Sequence, residues 1–265
     1  SWFNYYLPDG SIEEYKLDTN VCAYIGAGIW HHWLMNNDTE FVNHMWPTVK
    51  RAISWVLNMR RPDGTILWAR QVENTPWDYA LLTGSSSIRH ALQCAANLGT
   101  LVGDPQPQWR AAADVIDNII RTDMSAFEPK QRWAMDWYYP VLTGALIGAE
   151  AKDRLAGQWD TFVMDGLGVR CVSDESWVTA AETAECAVAH VAVGDIDTAR
   201  ELLSWTRVHR HADGSYYTGI VYPDQIIFPA NERSAYTGAA VIIAADAIAG
   251  ATATSHLFLA SEVID

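Results

Sequence analysis

The sequence predicts an all-α fold, an α/α toroid, as a complete or incomplete six-hairpin barrel with irregular loops and minor β-hairpins at one rim. Three observations predict it. An acidic residue set among aromatics repeatedly leads a helix of small residues: LDTNVCAYIGAG from Leu17, WDYALLTGSSS from Trp77, MDWYYPVLTGALIGA from Met135, SDESWVTAAETAECAVA from Ser173 and ANERSAYTGAAVIIAADA from Ala230. A second, more charged helix follows each of these, so the repeating unit is a helical hairpin. The small-residue helices suit an inner ring and the charged ones an outer ring, and a closed ring needs none of the polar end caps of a linear solenoid.

The elements follow in order. After Asp18 a helix is expected to about Trp33, then a second over Thr39 to Met59, where Phe41, Met45, Val49, Ile53 and Val56 recur at helical spacing. Pro47 falls inside that segment and marks either a kink or a late start. Asp78 leads a helix to about Leu98, followed by one over Gln108 to Arg121. Asp136 leads a helix to about Glu150, followed by another to about Phe162. Trp177 to Val193 pairs with Ile196 to Val208, and Ser234 to Ala249 with a short helix over His256 to Val263. Five pairs are therefore clear, and a sixth is irregular or completed by the N-terminal segment. PDG at Pro8 and Pro62 and ADG at Ala212 carry turn chemistry for short hairpins.

The chain has 265 residues, 49% hydrophobic and 19% charged, with no long linker, so a single catalytic domain over 1–265 is expected. A formal net charge of -14 excludes nucleic acid as a partner, because phosphate binding needs clustered Lys and Arg. No segment reads as a secretory signal or a membrane span, so membrane insertion is not expected. Cys22, Cys94, Cys171 and Cys186 lie in apolar segments without metal-ligand spacing. Buried free thiols, a cytoplasmic location, and no metal or other cofactor are the expectation. The composition leaves the oligomeric state open.

The leading acids Asp18, Asp78, Asp136, Asp174 and Glu232 gather at equivalent ends of equivalent helices. For each one, helix capping competes with chemistry. Closing the ring brings the first and last repeats together, so Asp18 and Glu232 are the leading candidates for a facing catalytic pair, with Asp78 and Asp136 open as ligands of sugar hydroxyls or alternative catalytic acids. Glycoside hydrolysis needs such a pair, one carboxyl protonating the leaving oxygen and the other activating water or attacking the anomeric carbon. Glu232 is favoured as acid and Asp18 as base, with exchange of roles open; an ion pair with Arg233 or Arg210 is the structural competitor for Glu232. Trp77, Asp78, Asp136, Trp137, Tyr138, Tyr139, Trp177, Glu182 and Tyr222 are the expected substrate-binding residues. A sugar stacks its C–H face on aromatic rings and hydrogen-bonds its hydroxyls to acids and amides. Glu182 and Glu185, three apart on a helix, would otherwise face polar neighbours in the interior. With 13 Trp and 11 Tyr, about half of the rings are expected in the core.

The strings KLDTNVCAYIGAGIWHHWL, DYALLTGSSSI, AMDWYYPVLTGAL, VSDESWVTAAETAECA and FPANERSAYTGAAVIIAADA resemble actinobacterial proteins labelled prenyltransferase-like. Among these they resemble most the mycobacterial methylmannose polysaccharide hydrolases, endo-acting α-mannanases. The resemblance implies hydrolysis of internal α-1,4 bonds in a cytosolic, partly methylated mannose polymer, with an acidic pair matching Asp18 and Glu232. Inversion is preferred by analogy with other α/α-toroid glycosidases. Two other readings compete. A terpene cyclase or prenyltransferase would need DxDD or DDxxD clusters, which the sequence lacks, and rests on fold analogy alone. A non-catalytic glycan-binding protein would use the aromatics for binding and the acids only as hydrogen-bonding groups.

Overall fold

The computed structural model describes residues 1–7, 9–71 and 75–259. Ser1–Pro129 form one compact unit, and the described residues from Lys130 onward form a second.

In the first unit, β1 (Tyr5–Tyr6) pairs antiparallel with β2 (Ile12–Glu14), and β3 (Lys16–Asp18) with β4 (Ala69–Gln71). The helices are α1 (Thr19–Ala23), α2 (Ile25–Asn36), α3 (Thr39–Leu57), α4 (Leu82–Leu101) and α5 (Pro107–Thr122). Tyr24, between α1 and α2, keeps helical φ and ψ of -59° and -15°, so the expected single helix forms with a local irregularity. It stops at Asn37, whose φ of 50° is left-handed. α3 runs unbroken through Pro47.

α4 is buried on nearly every side, as a helix of small residues permits. Two of its three buried serines satisfy their hydroxyls on their own helix, Ser86 Oγ donating to the Leu82 carbonyl at 2.8 Å and Ser87 Oγ to that of Thr83 at 3.1 Å, while Ser85 Oγ has no partner among the described residues. A Cβ on Gly26 would lie 2.7 Å from the Ala91 carbonyl oxygen, so α2 approaches α4 closely only because that residue is glycine. α5 buries one face, with Trp109, Ala112, Ala113, Ile116, Ile119 and Ile120 at helical spacing. Burial of each large side chain there contributes about 1.5–3 kcal/mol. Arg89 on α4 donates from Nη2 to Asp117 on α5 at 2.9 Å, which fixes the hairpin's rotation.

In the second unit the helices are α6 (Ala134–Leu142), α7 (Gly148–Phe162), α8 (Ala180–Ala192), α9 (Ile196–Trp205) and α10 (Ala235–Ala249). β5 (Val163–Met164) pairs with β6 (Gly168–Val169), and β7 (Trp177–Thr179), β8 (Gly219–Val221) and β9 (Ile226–Ile227) form a three-stranded sheet in that order. Every residue of α8 except Ala192 is buried, and α8 packs against α6, α9 and α10.

Three boundaries differ from expectation. The helix led by Asp136 ends at Leu142 rather than Glu150, because Gly144 and Gly148 take φ of 75° and 62° and turn the chain into α7. Pro140 inside α6 has no N–H for the Asp136 carbonyl, and Arg154 on α7 supplies the donor instead, Nη2 to oxygen at 2.6 Å. Trp177–Thr179 is a strand rather than a helix start, since Trp, Val and Thr favour the pleat and pair with β8. The helix expected over His256 to Val263 does not form over its described part, where residues through Leu259 make turns; residues 260–265 lie outside the described residues.

The expected turns at Pro62 and Ala212 share one construction. Asp63 Oδ1 accepts the N–H and hydroxyl of Thr65, Asp213 Oδ1 accepts those of Ser215, and Arg60–Ile66 and Arg210–Tyr216 bridge across the turns. Pro8 lies outside the described residues, but Asp9 and Ser11 repeat the contact. The four cysteines are free and buried.

Candidate active site

None of the five leading acids caps its helix. Asp18 stands at the N-cap of α1 without a side-chain cap bond, and the N-cap positions of α4, α6, α8 and α10 belong to Leu81, Trp133, Thr179 and Ser234. Capping therefore does not explain the recurrence, and each carboxyl has another environment.

Asp18 ends β3, opposite Ala69 on β4, and is 3% exposed. Its Oδ2 accepts Nδ2 of Asn4 at 3.0 Å and lies 3.6 Å from the Lys16 ammonium, while Oδ1 is buried with no hydrogen-bond partner among the described residues. Burial raises its pKa above the ordinary carboxylate value, against the opposing pull of Lys16. The same Lys16 Nζ sits 4.7 Å from the Trp68 ring centre and 5.8 Å from that of Trp77. Trp68 and Trp77 meet edge to face at 4.7 Å, and Tyr79 lies 5.9 Å from both. A buried carboxyl with a raised pKa has the character of a general acid, which gives a proton to a leaving oxygen. Asp78, by contrast, is a surface group paired with Arg61 at 2.8 Å; Arg61 also donates to the Asp78 carbonyl.

In the second unit, Glu182 and Glu185 lie in the first turns of α8, both 8% exposed. The Thr179 hydroxyl donates to Glu182 Oε2. Glu185 accepts three tyrosine hydroxyls: Tyr138 at 2.5 Å on Oε2, and Tyr139 at 3.2 Å and Tyr236 at 2.5 Å on Oε1. Burial, then the neighbouring Glu182, pushes the Glu185 pKa up to about 7, against the pull of the hydroxyls. Both acids thus have polar neighbours in the interior, the arrangement that competes with substrate binding for Glu182. Asp136 is buried in the first turn of α6. Trp137 is 3% exposed, stacks on Phe162 at 5.5 Å and donates Nε1 to the Arg154 carbonyl at 2.9 Å, so its ring presents no open face to a sugar. Tyr138 is fully buried and Tyr139 nearly so; both act here through their hydroxyls.

Glu232 is exposed in the segment before α10. Its Oε1 accepts the Thr218 hydroxyl at 2.7 Å, and its carbonyl accepts the Thr218 N–H at 3.0 Å. The expected competitor does not operate through Arg233, whose guanidinium is engaged with Asp213, His211 and Ser215. Trp177, half-buried, packs edge-on against Phe228 at 5.5 Å and donates Nε1 to its carbonyl at 3.1 Å. Tyr222 is half-buried in the turn directly after β8, its N–H donating to the Ser176 carbonyl at 2.9 Å. Reading the sequence missed Asn4, Lys16, Tyr79, Thr218 and Tyr236. Lys16, Tyr79 and Tyr236 lie within the recurring strings KLDTN, WDY and ANERSAYTG, whereas Asn4 and Thr218 carry no local signal.

The fold is shared with solved structures at low identity. A sugar epimerase from a ruminal bacterium matches at a TM-score of 0.68 and 12% identity over 96% of this chain and 75% of that one. The cellobiose 2-epimerase of Spirochaeta thermophila matches at 0.64 and 12% over 94% and 75%. The endoglucanase Cel10 of Klebsiella pneumoniae, a family 8 glycosyl hydrolase, matches at 0.57 and 12% over 98% and 90%. The fold class is thus the expected α/α toroid. No protein-family model matches the chain. Carboxyls freed from capping and set among aromatics, on this fold and with the relationship that follows, define a glycoside hydrolase. The chain is 44% identical over 252 residues, 95% of its own length and 70% of the relative's, to the MMP endo-(1,4)-3-O-methyl-alpha-D-mannosidase of Mycolicibacterium hassiacum. It belongs to that family. The isoprenoid and binding-only readings are not favoured. No helix among the described residues is long and apolar enough to cross a membrane.

Proposed function

We propose that this chain, acting as one catalytic domain in the cytoplasm, hydrolyses internal α-1,4 bonds of a 3-O-methylmannose polysaccharide. The observation that carries the reading is the 44% identity to an enzyme named for that bond, spread over 95% of the chain. Asp18 and Glu232 are the proposed catalytic pair. The raised pKa of Asp18 supports giving it the acid role, the reverse of the assignment favoured from sequence. Glu232, solvent-exposed and held by Thr218, suits the base that activates water, with inversion at the anomeric carbon. Trp77 and Trp177 supply half-buried rings for sugar faces, and no cofactor takes part in the proposed reaction. The reading predicts shorter products from methylated α-1,4-mannooligosaccharides by mass spectrometry, absent with Glu232→Gln. Intact substrate with wild-type protein would overturn it.

A further inference from the structure

Tyr236 combines two properties that seldom occur together. Its side chain is exposed, with 50% of the residue accessible, yet its hydroxyl reaches inward to the buried Glu185 at 2.5 Å. An exposed tyrosine satisfies its hydroxyl with water at no cost, so the fold does not need a buried carboxylate for that purpose. Nor does Glu185 rely on Tyr236 alone for a donor, since the buried Tyr138 and Tyr139 both bond it. What the third bond does is fix the ring, which removes the rotamer freedom that an exposed aromatic would lose on binding a ligand.

Position gives the fixed ring a use. Tyr236 lies in the first turn of α10, four residues after Glu232 in sequence, so at most about 14 Å of chain separates them. Ser234 caps α10 by accepting the Thr237 N–H at 3.1 Å, and Thr218 holds Glu232 at both backbone and side chain, so the connecting segment is pinned at both ends. A pyranose presents an apolar C–H face, and a 3-O-methyl group enlarges the apolar surface available to a ring.

We propose that Tyr236, locked by Glu185, is a stacking platform for a mannopyranose ring in the subsite beside Glu232. The inference rests on the glycosidase reading above and adds a binding residue to it. Binding is measured by calorimetry with a 3-O-methylated α-1,4-mannotetraose on the Glu232→Gln background, where turnover does not interfere. Tyr236→Ala weakens Kd by about ten-fold, Tyr236→Phe, which keeps the ring but loses the anchor, by a few-fold, and Tyr236→Trp restores most of the loss. Ile242→Ala, an exposed apolar side chain on the same helix, leaves Kd unchanged. Should Tyr236→Ala melt early, Tyr236→Leu keeps apolar bulk without a ring face and carries the same test. A Kd within two-fold for the ringless variants overturns the platform even if Glu232→Gln is inactive. Full turnover by Glu232→Gln instead overturns the assignment of Glu232, and the Tyr236 comparison, repeated as KM in the wild-type enzyme, still decides the platform.

Discussion

Thr218 holds Glu232 twice, by its hydroxyl to Oε1 at 2.7 Å and by its N–H to the carbonyl at 3.0 Å. Thr218 is itself fixed to α8, because its carbonyl accepts the Ala180 N–H at 3.1 Å. The exposed carboxylate is therefore aimed by the start of a fully packed helix. A hydrogen bond to a charged group contributes about 1.5–3 kcal/mol. If Glu232 must point correctly in the transition state, Thr218→Ala lowers kcat by roughly ten-fold or more with KM little changed, while Thr218→Ser retains most of the rate. Initial rates on a methylated mannooligosaccharide check this, and an unchanged kcat for Thr218→Ala would separate Thr218 from catalysis.

Asp18 makes an opposite prediction for activity and stability. Its folded-state pKa is raised by burial, so below the unfolded value of 3.8 both states are protonated and the group is neutral to stability. As pH rises from there through the folded pKa, the unfolded chain ionises first and stability falls. Asp18→Asn removes that loss. It abolishes turnover, yet its melting temperature at pH 7 equals or exceeds that of the wild type, an advantage that disappears near pH 3.5. A large drop in Tm at neutral pH would mean that the contacts with Asn4 and Lys16 outweigh the cost of burial.

Much of the fold was legible because helix periodicity and residue size are local properties. The all-round small-residue runs of α4 and α8 foretell burial, and the stripes of α5 foretell one buried face. Boundaries set by tertiary pairing were not legible. Trp177–Thr179 becomes a strand because β8 lies beside it, and Gly144 turns a chain that Ala and Leu would continue as helix. The acids could be found as a recurring set, but their environments depend on partners distant in sequence: Asn4 for Asp18, Thr218 for Glu232, and Tyr138 and Tyr236 for Glu185. The same distance hid the core role of Trp137, whose partner Phe162 sits on the next helix.

Glu185 should dominate one part of the stability profile. Its pKa rises from 4.5 to about 7, chiefly by burial and then by the charge of Glu182. The sign follows from linkage: with the folded pKa above the unfolded one, the contribution is fully present below pH 4.5 and is lost as pH rises through 7. The span corresponds to about 3 kcal/mol as an upper bound. Glu185→Gln, which keeps an acceptor for the tyrosines, flattens the fall in unfolding free energy between those limits. Denaturant titrations at several pH values measure the difference, and parallel profiles for wild type and variant would show that Glu185 is ionised in both states alike.

Gly219 and Gly238 separate steric need from mere composition in the second unit. Gly219 begins β8 against Thr179, where an added Cβ would collide with Trp177 Nε1 and lie 2.8 Å from the Val178 carbonyl oxygen. Neither neighbour yields easily, since Trp177 is tied to the Phe228 carbonyl and Val178 lies in β7. Gly219→Ala should therefore cost about 1–3 kcal/mol and displace Trp177, raising KM if that ring contacts sugar. Gly238, inside α10, has nothing within 4 Å of an added Cβ. There the helix gains from reduced unfolded-state freedom, so Gly238→Ala raises stability by about 0.5–1 kcal/mol. Thermal melts of the two variants should move in opposite directions. A loss from Gly238→Ala comparable to that from Gly219→Ala would overturn the reading that α10 has room for a side chain at that position.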